Sequence, residues 1–346
     1  MLTTTQLTAN LAVKYNELTH QTLALPILIF YLTARCNSRC ISCDWWQSDG
    51  ADDLSFDEIR VLVKQLPALG VRMVVFSGGE PLLRRDVYEI ANLFRAHNIK
   101  LYLLTAGLFL EKDAEKIATR FDQVTISLDG HTLALYQKIR GVDALALVER
   151  GARKLQVLAP HIPVRARSTL HRHNFRELPH LIDKARGMGL QQISFLSADV
   201  TSEAFGRSRG ESSTRGLLLD EGEVKEFGEI VEETIVSHAR DFENHFIAES
   251  PEKLRRLPRY YAAQLGLGAF PPISCNAPWV SAVIEADGNV RPCYFHNAVG
   301  NVREKNLREI LNHEMNTFRA QLDVHENETC KKCVCTLKVG MRTKLW

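Results

Sequence analysis

Three cysteines lie close together near the start of the chain. Cys36, Cys40 and Cys43 have the spacing C-x-x-x-C-x-x-C and directly follow an apolar run at 27–33. A four-iron cluster normally takes four thiolates, so three thiolates from one short loop leave one iron open to an outside ligand. An open coordination position separates a catalytic metal site from a closed structural one. The spacing therefore predicts a catalytic iron-sulfur site, with a zinc site that takes a distant fourth ligand as the alternative.

The other five cysteines lie near the C-terminal end. Cys275 and Cys293 are followed by a C-x-x-C-x-C run made of Cys330, Cys333 and Cys335. In a reducing compartment such groups bind metal more often than they form disulfides. A metal cluster here would stabilise a small domain that has little core of its own. A structural zinc site with four cysteine ligands is the alternative.

The composition excludes several classes of protein. The 346 residues are 45% hydrophobic and 24% charged, which predicts one sizeable folded domain and a smaller one. A net charge of +2 is too small to indicate nucleic acid or an anionic membrane as a partner. The apolar run at 23–32 contains Pro26 and is shorter than the roughly 20 residues that span a bilayer. It also lacks the features of a signal peptide, so we expect a cytoplasmic protein without a membrane span.

The first 200 residues alternate between short apolar segments and longer amphipathic ones. Apolar or β-branched runs predict six strands, at 27–33, 71–76, 99–104, 122–128, 162–169 and 191–198. Amphipathic stretches predict helices between them, at 55–69, 84–97, 111–119, 142–158 and 174–188. Each crossover helix returns the chain to begin the next strand in the same direction. These units therefore predict a parallel sheet, either open or curved into a partial barrel.

The pattern changes after residue 200. Residues 206–216 are polar and rich in Gly and Arg, which predicts a mobile loop. Residues 220–239 predict a charged helix, and 250–272 have the composition of a domain connection. Asp287-Gly288-Asn289 predicts a hairpin between Cys275 and Cys293. We therefore expect four regions: an N-terminal arm at 1–26, a barrel at 27–215, a helical connection at 216–272 and a cluster domain at 273–346.

Three motifs resemble those of the radical S-adenosylmethionine (SAM) superfamily across residues 27 to about 200. They are the cysteine triplet after the first strand, Gly78-Gly79-Glu80-Pro81 after the second and Ser127-Leu128-Asp129-Gly130 at the end of the fourth. The resemblance implies an α/β fold with a partial (β/α)6 TIM-like barrel and a SAM-binding 4Fe-4S cluster on the triplet. It also implies that SAM is cleaved to a 5′-deoxyadenosyl radical, which removes a hydrogen atom from substrate. An electron donor such as flavodoxin or ferredoxin is an expected partner.

The residue types indicate how SAM would be bound. Gly78 and Gly79 let the backbone approach the methionine end of SAM, and Glu80 offers a carboxylate near its ammonium group. The oxygens of Ser127 and Asp129 suit the ribose hydroxyls at the C-terminal end of a strand. The predicted SAM-binding residues are Gly78, Gly79, Glu80, Pro81, Thr105, Ser127, Asp129 and Ser168, with Arg140 and Arg165 as candidates for the SAM carboxylate.

The triplet departs from the family pattern at one position. The family usually has an aromatic residue just before the third cysteine, where it contacts the adenine, and this chain has Ser42 there. Trp45 and Trp46 follow closely. They either replace the adenine contact or pack the loop onto the barrel.

The C-terminal cysteines resemble those of SPASM and twitch domains, over roughly 273 to 340. Five cysteines suffice for one auxiliary iron-sulfur cluster, which we expect to be 4Fe-4S. The twitch form selects Cys275, Cys293, Cys330 and Cys333 as ligands. Cys335 is then a spare residue or the fourth ligand in place of Cys333. A cluster with four thiolates would relay electrons or act as a structural staple, whereas one with an open iron would bind substrate.

We expect the substrate to be a small molecule that is oxidised or rearranged. The N-terminal arm is too short for a separate peptide-recognition domain, and modification of a ribosomal peptide by crosslinking or epimerisation is the alternative. An iron-sulfur protein that serves only electron transfer or sensing is the alternative from another class. Such a protein has no use for the small-molecule pocket that the Gly78-Gly79-Glu80-Pro81 and Ser127-Leu128-Asp129-Gly130 motifs indicate.

Further polar residues are candidates for roles near the substrate. His171, His173 and Tyr136 are candidate proton or radical partners. Arginines of the predicted loop are candidates for contact with an acidic substrate, namely Arg207, Arg209 and Arg215. We expect His296, His313 and His325 to be surface histidines and not ligands.

Overall fold

The computed structural model describes residues 2–207 and 216–345. Arg209 and Arg215 lie outside the described residues, as does most of the predicted loop at 206–216. The strands in the described ranges are β1 (Ile27–Thr33), β2 (Met73–Gly78), β3 (Lys100–Thr105), β4 (Gln123–Ser127), β5 (Val164–Leu170), β6 (Gln192–Ser197), β7 (Ser281–Ile284), β8 (Asn289–Arg291) and β9 (Gly300–Asn301).

Helices connect and cover these strands. The α-helices of the described residues are α1 (Thr4–Thr19), α2 (Phe56–Val63), α3 (Val87–Arg95), α4 (Leu110–Ala118), α5 (Leu133–Arg140), α6 (Leu145–Leu158), α7 (Leu178–Gly187), α8 (Glu221–Ser237), α9 (Ala239–Glu243), α10 (Pro251–Leu254), α11 (Arg256–Gln264), α12 (Ala277–Val280), α13 (Leu307–Asn312), α14 (Glu314–Gln321) and α15 (Glu328–Lys331). No helix in these ranges is long and apolar enough to cross a membrane.

All the strands belong to one sheet, in the order β6-β5-β4-β3-β2-β1-β7-β8-β9. The first six strands are parallel and follow the chain order, which confirms the prediction of six β/α units. The sheet does not close, as in a partial barrel. On the free edge of β1, β7 pairs in parallel, with Ile27 opposite Ser281, and the predicted hairpin adds β8 and then β9 in antiparallel order. The C-terminal segment therefore extends the sheet of the barrel.

The two faces of the sheet are packed differently. Successive residues of a strand point to opposite faces. Leu28 and Phe30 of β1 belong to the large apolar core beneath the helices. Ile29 and Tyr31 belong to a smaller apolar cluster on the other face, which also includes Val283 of β7. The inner face of the barrel is thus filled in part by the C-terminal segment.

The N-terminal arm is a helix that packs on the C-terminal segment. Asn10 Nδ2 donates hydrogen bonds to the carbonyl oxygens of Met341 and Thr343, at 3.1 and 2.9 Å. Asn16 Nδ2 donates to the carbonyl oxygen of Trp279 at 2.9 Å, beside α12. Both asparagines are buried. The arm and the end of the chain therefore stabilise each other.

Several helices were not predicted from the sequence. α5 begins where the Thr132 side chain accepts a hydrogen bond from the backbone N–H of Leu135, and it ends at Gly141, which has a φ of 69°. α10 and α11 lie within the region 216–272 that was predicted to be a helical connection, but their bounds were not predicted. Of these helices, α5 matters most for the site because it ends at Arg140.

Candidate active site

The cysteine loop after β1 is held by two distant segments. Arg39 N donates a hydrogen bond to the carbonyl oxygen of Arg140 at the end of α5, at 2.9 Å. Asp44 N donates to the carbonyl oxygen of Phe205, beyond β6, also at 2.9 Å. The Cys43 thiol lies 3.5 Å from the same Phe205 oxygen. Contacts with neighbouring segments thus fix the positions of the three thiols.

Gly78 and Gly79 lie against the start of this loop. A Cβ atom on Gly78, whose φ is +113°, would lie 2.6 Å from the carbonyl oxygen of Thr33, and one on Gly79 would lie 2.1 Å from that of Arg35. The N–H groups of Gly79 and Glu80 donate to these same two oxygens, at 2.9 and 2.8 Å. The glycines are therefore required for the end of β2 to reach the cysteine loop, in addition to the contact with SAM that the sequence predicts.

Glu80 is fully buried and connects the motif to the end of β3. Its carboxylate accepts hydrogen bonds from Thr105 Oγ1 at 2.8 Å, from Ala106 N at 2.7 Å and from Leu82 N at 3.1 Å. Burial raises the pKa of Glu80, although these hydrogen bonds act in the opposite direction. Two predicted SAM-binding residues, Glu80 and Thr105, are thus hydrogen-bonded to each other. Pro81 is buried as well and begins a short 3-10 helix.

Asp129 positions Arg140 beside the cysteine thiols. Asp129 Oδ1 accepts a hydrogen bond from Thr169 N at 2.8 Å, and Oδ2 forms an ion pair with Arg140 Nη1 at 3.1 Å. Burial lowers the pKa of Arg140, but its neighbours Cys40, Asp129, Tyr136 and Cys36 together raise it, so the net pKa lies above the usual value. The Nε of Arg140 is buried and has no hydrogen-bond partner among the described residues. Arg140 is thus a fixed cation next to the loop.

A cavity of about 240 Å³ opens at the C-terminal ends of the strands, where barrel active sites form. All three cysteines of the first group line it. The predicted SAM-binding residues in its wall are Gly78, Gly79, Thr105, Ser127 and Arg140. Glu80, Pro81 and Asp129 lie behind that wall and support it.

β5 presents different residues to the cavity from those predicted. Ser168 is fully buried and is not part of the cavity wall. Because strand residues alternate between faces, its neighbours Arg167 and Thr169 line the cavity instead. Arg165 shares their face but is absent from the wall. Alternation along the strand was a signal in the sequence that would have selected Arg167.

The two tryptophans after the cysteines differ in position. Trp45 lines the cavity and makes an edge-to-face contact with Tyr31, with ring centroids 5.8 Å apart. Trp46 is 38% exposed and lies under the guanidinium group of Arg39, 5.9 Å from it. Ser42 also lines the cavity. Trp45 is therefore the aromatic residue near the triplet that faces the cavity.

The thiols of the first group suit a cluster better than a single zinc ion. A tetrahedral zinc site has Zn–S distances of about 2.3 Å, which places its sulfurs about 3.8 Å apart. Within the part of the chain that the structure describes, no three cysteine sulfurs lie within 4.8 Å of one another. Burial raises the pKa of Cys36 to about 11 and that of Cys43 to about 12, and the neighbouring thiols contribute. Such thiols need a bound cation to ionise, and they are not arranged at the spacing of a single tetrahedral zinc site.

The second cysteine group is assembled from three segments. Cys275 precedes α12, Cys293 follows β8, and Cys330, Cys333 and Cys335 belong to α15 and the segment after it. The electrostatic influence of Cys275 contributes to the raised pKa values of the other four thiols, for which burial is the largest cause. All five cysteines therefore lie in one region.

Cys335 differs from the other four because it lines the cavity. Tyr294 and Arg167 lie near it in the same wall and influence each other electrostatically. One thiol of the second group therefore shares the cavity with the three thiols of the first. Arg167 and Tyr294 were missed by the sequence analysis, although Tyr294 is adjacent to a predicted ligand.

Two predictions about polar residues near the cavity were wrong. His296 is not a surface residue: it is 8% exposed, and its Nε2 lies 3.3 Å from the Cys330 sulfur. Arg207 is not available to a substrate, because it is buried and paired with Asp199. His313 and His325 are exposed, as expected.

The candidate proton or radical partners lie away from the cavity. Tyr136 and His171 are fully buried, and neither they nor His173 line the cavity. Burial lowers the pKa of His171 to about 3, so this side chain is neutral near pH 7. These three residues consequently have no direct access to a molecule bound there.

Sequence comparisons identify two families along the chain. Residues 30–185 match the Radical SAM superfamily, and residues 275–334 match the SPASM iron-sulfur cluster-binding domain. The chain is 26% identical over 309 residues to the Fe-coproporphyrin III synthase of Methanosarcina barkeri, covering 82% of this chain and 73% of that protein. It is 32% identical over 171 residues to a probable GTP 3′,8-cyclase of Methanocaldococcus jannaschii, covering 48% of this chain and 57% of the relative.

Solved structures show the same fold. The structure of Streptococcus suis SuiB bound to S-adenosylmethionine matches with a TM-score of 0.64 and 15% identity, over 95% of this chain and 76% of that one. The structure of anSMEcpe with bound AdoMet matches with a TM-score of 0.65 and 19% identity, over 89% and 86%. With the two family matches, the cysteine-lined cavity and this fold, the chain is an enzyme of the radical SAM superfamily that carries a C-terminal SPASM-type iron-sulfur domain.

Proposed function

We propose that this enzyme uses SAM-derived radical chemistry to oxidise or rearrange a small molecule that carries an acidic group. The proposal rests on the shared cavity, which Cys36, Cys40 and Cys43 line together with Cys335. When bound, the first 4Fe-4S cluster and SAM supply a 5′-deoxyadenosyl radical that removes a hydrogen atom from substrate, and the auxiliary cluster supplies a second site for electron transfer. A substrate in this cavity would lie between the two cysteine groups.

Within this proposal Arg140 binds the carboxylate of SAM. It is buried next to the cysteine loop, Asp129 fixes its orientation, and its Nε has no partner among the described residues. Glu80 does not line the cavity. Its carboxylate accepts hydrogen bonds from Thr105 and Ala106, which do line the cavity, and so it fixes their positions at the end of β3. We therefore assign Arg140 to the binding of SAM and Glu80 to the positioning of Thr105 and Ala106 in the cavity wall.

Arg167 supports the choice of an acidic substrate. It lines the cavity near Cys335, and its Nε donates a hydrogen bond to Ser194 Oγ at 3.2 Å. It is exposed and has no ion-pair partner within 4.0 Å in the described ranges, 2–207 and 216–345, although its charge acts on the buried carboxyl group of Glu249. An unpaired guanidinium group in a cavity wall is suited to bind a carboxylate or a phosphate. We assign it to an anionic group of the substrate.

A small molecule is preferred to a peptide for two reasons. Two sequence relatives, an Fe-coproporphyrin III synthase and a probable GTP 3′,8-cyclase, are named for small molecules. In addition, α1 is docked on the C-terminal segment through Asn10 and Asn16, so the arm is engaged within the protein. Peptide modification remains the alternative, since one structure of the same fold is that of SuiB bound to its precursor peptide SuiA. An external electron donor such as flavodoxin or ferredoxin is part of either reaction.

The proposal is tested by following SAM in reduced, iron-loaded protein. The wild type should convert SAM to 5′-deoxyadenosine. Arg140→Met should weaken SAM binding by about tenfold to a hundredfold, the loss expected for a charged hydrogen-bonding group, while leaving the iron content unchanged. Arg153→Met, which alters an exposed residue of α6, is the matched control. Failure of the wild type to form 5′-deoxyadenosine would overturn the proposal.

A further inference from the structure

A second cluster of metal-binding side chains lies on the rim of the barrel, apart from both cysteine groups. His131 follows the Ser127-Leu128-Asp129-Gly130 motif, Glu177 precedes α7, and His180 lies in the first turn of α7. One ligand atom from each residue lies within 4.8 Å of the other two. In the described residues, these three form the one group of histidine, cysteine and acidic side chains that meets this distance limit.

The distances within the cluster fit a tetrahedral metal site. Glu177 Oε2 lies 3.6 Å from His131 Nδ1 and 3.1 Å from His180 Nδ1. Ligands bound to zinc at 2.0–2.1 Å in tetrahedral geometry are separated by about 3.3 Å. The 3.6 Å separation is too long for an ordinary hydrogen bond, and His131 Nδ1 is a buried atom without a hydrogen-bond partner in the part of the chain described. The contact of His180 Nδ1 with Glu177 is within hydrogen-bond distance, whereas that of His131 Nδ1 is not, and both Nδ1 atoms lie near the same carboxylate oxygen at distances close to those between metal ligands.

The surroundings also allow a cation to bind. The two imidazole rings are stacked, with centroids 5.0 Å apart and an interplanar angle of 23°. Lys184, whose charge acts on His131, is itself paired with Glu149. The side chains of His131 and Glu177 are 25% and 32% exposed, and that of His180 is 62% exposed, so an ion can enter from solvent.

We propose that His131, Glu177 and His180 bind a divalent transition-metal ion of the zinc class, with water completing the coordination. Two imidazole nitrogens and one carboxylate oxygen suit zinc and its neighbours better than magnesium or calcium, which prefer oxygen ligands. The ion links the loop that follows β4 to the start of α7. That loop contains Asp129, which forms an ion pair with Arg140. The bound ion therefore stabilises the loop that orients Arg140 at the SAM site.

The test uses the enzyme with its iron-sulfur clusters in place, incubated with zinc, desalted and analysed for both metals. The wild type should retain about one zinc ion per chain with its iron content unchanged. His180→Ala and Glu177→Gln should each weaken zinc binding by at least about tenfold. His161→Ala, which removes an exposed histidine elsewhere on the surface, is the matched control and should bind zinc like the wild type.

Other outcomes overturn the proposal. A wild type that retains no zinc, or variants that retain as much as the wild type, would mean that these side chains are an ordinary surface cluster. Zinc that binds only while iron is lost would indicate replacement in the cysteine sites and would also count against it. The result is independent of SAM cleavage, so it is separate from the test of the proposed function.

Discussion

The two cysteine groups share one cavity only through Cys335, and they are built in different ways. The first group comes from one loop of eight residues, 36–43, which is fixed by hydrogen bonds to the end of α5 and to Phe205. The second group comes from three segments, and Asn276, beside Cys275, bonds to the carbonyl oxygen of Val339 and to Glu17 of α1. One group therefore belongs to the barrel, whereas the other depends on both ends of the described chain.

This difference has a chemical consequence. Three thiolates leave one iron free for SAM, and the buried cation Arg140 stands beside the first group. The second group has five thiols, enough to ligate every iron of a 4Fe-4S cluster and leave Cys335 in the cavity wall. An open cluster for catalysis and a closed one for electron transfer are the roles that this contrast predicts.

The largest expected effect comes from removing the first group. In protein with Cys36, Cys40 and Cys43 all changed to Ala, the iron content should fall from about eight to about four per chain, if both sites hold four-iron clusters. Formation of 5′-deoxyadenosine should fall to background because no open iron remains. Iron and sulfide analysis with product chromatography measures both. Zinc in place of iron and sulfide at either site would contradict the assignment of that site.

The second group should be separable from SAM cleavage. Cys275→Ala should lose the auxiliary cluster and, for an oxidation, stop product formation, because the route for the second electron from the substrate is gone. It should still cleave SAM without coupling to substrate, since the first loop makes its contacts elsewhere. Cys275→Ser provides a conservative comparison. If SAM cleavage is lost while the first cluster remains intact, the two groups are not functionally distinct.

Variants of Cys333 and Cys335 test which of these two thiols is the fourth ligand of the second cluster. The twitch pattern selects Cys333 as the fourth ligand, so Cys333→Ala should lose the second cluster, whereas Cys335→Ala, which removes the thiol in the cavity wall, should keep it. Electron paramagnetic resonance of the reduced variants measures this directly. The reverse pattern would show that Cys335 is the fourth ligand.

A smaller effect is expected from the tryptophans. Trp45→Ala should weaken SAM or substrate binding by about tenfold, equivalent to about 1.4 kcal/mol, because Trp45 lines the cavity. Trp46→Ala is the matched control and should have little effect, since that ring is partly exposed and contacts Arg39. Equal effects from the two variants would mean that the ring of Trp45 acts only by packing the loop.

The sequence predicted the strands and the cysteine loop well because their signals are local. Most of the first six strands are short runs of apolar or β-branched residues, and Cys36, Cys40 and Cys43 lie within eight residues of sequence. Ser168 was predicted at the SAM site although it alternates along β5 with Arg167 and Thr169, which line the cavity; this local signal was not used. The burial of His296 depends on its packing against Phe318, a residue of α14, with ring centroids 4.8 Å apart. Such contacts between distant segments leave no local pattern in the sequence.

The central claim is that a small acidic substrate is bound between the two cysteine groups and loses a hydrogen atom there. The most direct measurement is deuterium transfer into 5′-deoxyadenosine from labelled candidates, with small carboxylates and phosphates tested beside peptides. We predict transfer from a small acidic compound in the wild type, and loss of that transfer in Arg167→Met, which still cleaves SAM. Transfer from a peptide, or transfer that is unchanged in Arg167→Met, would contradict the account.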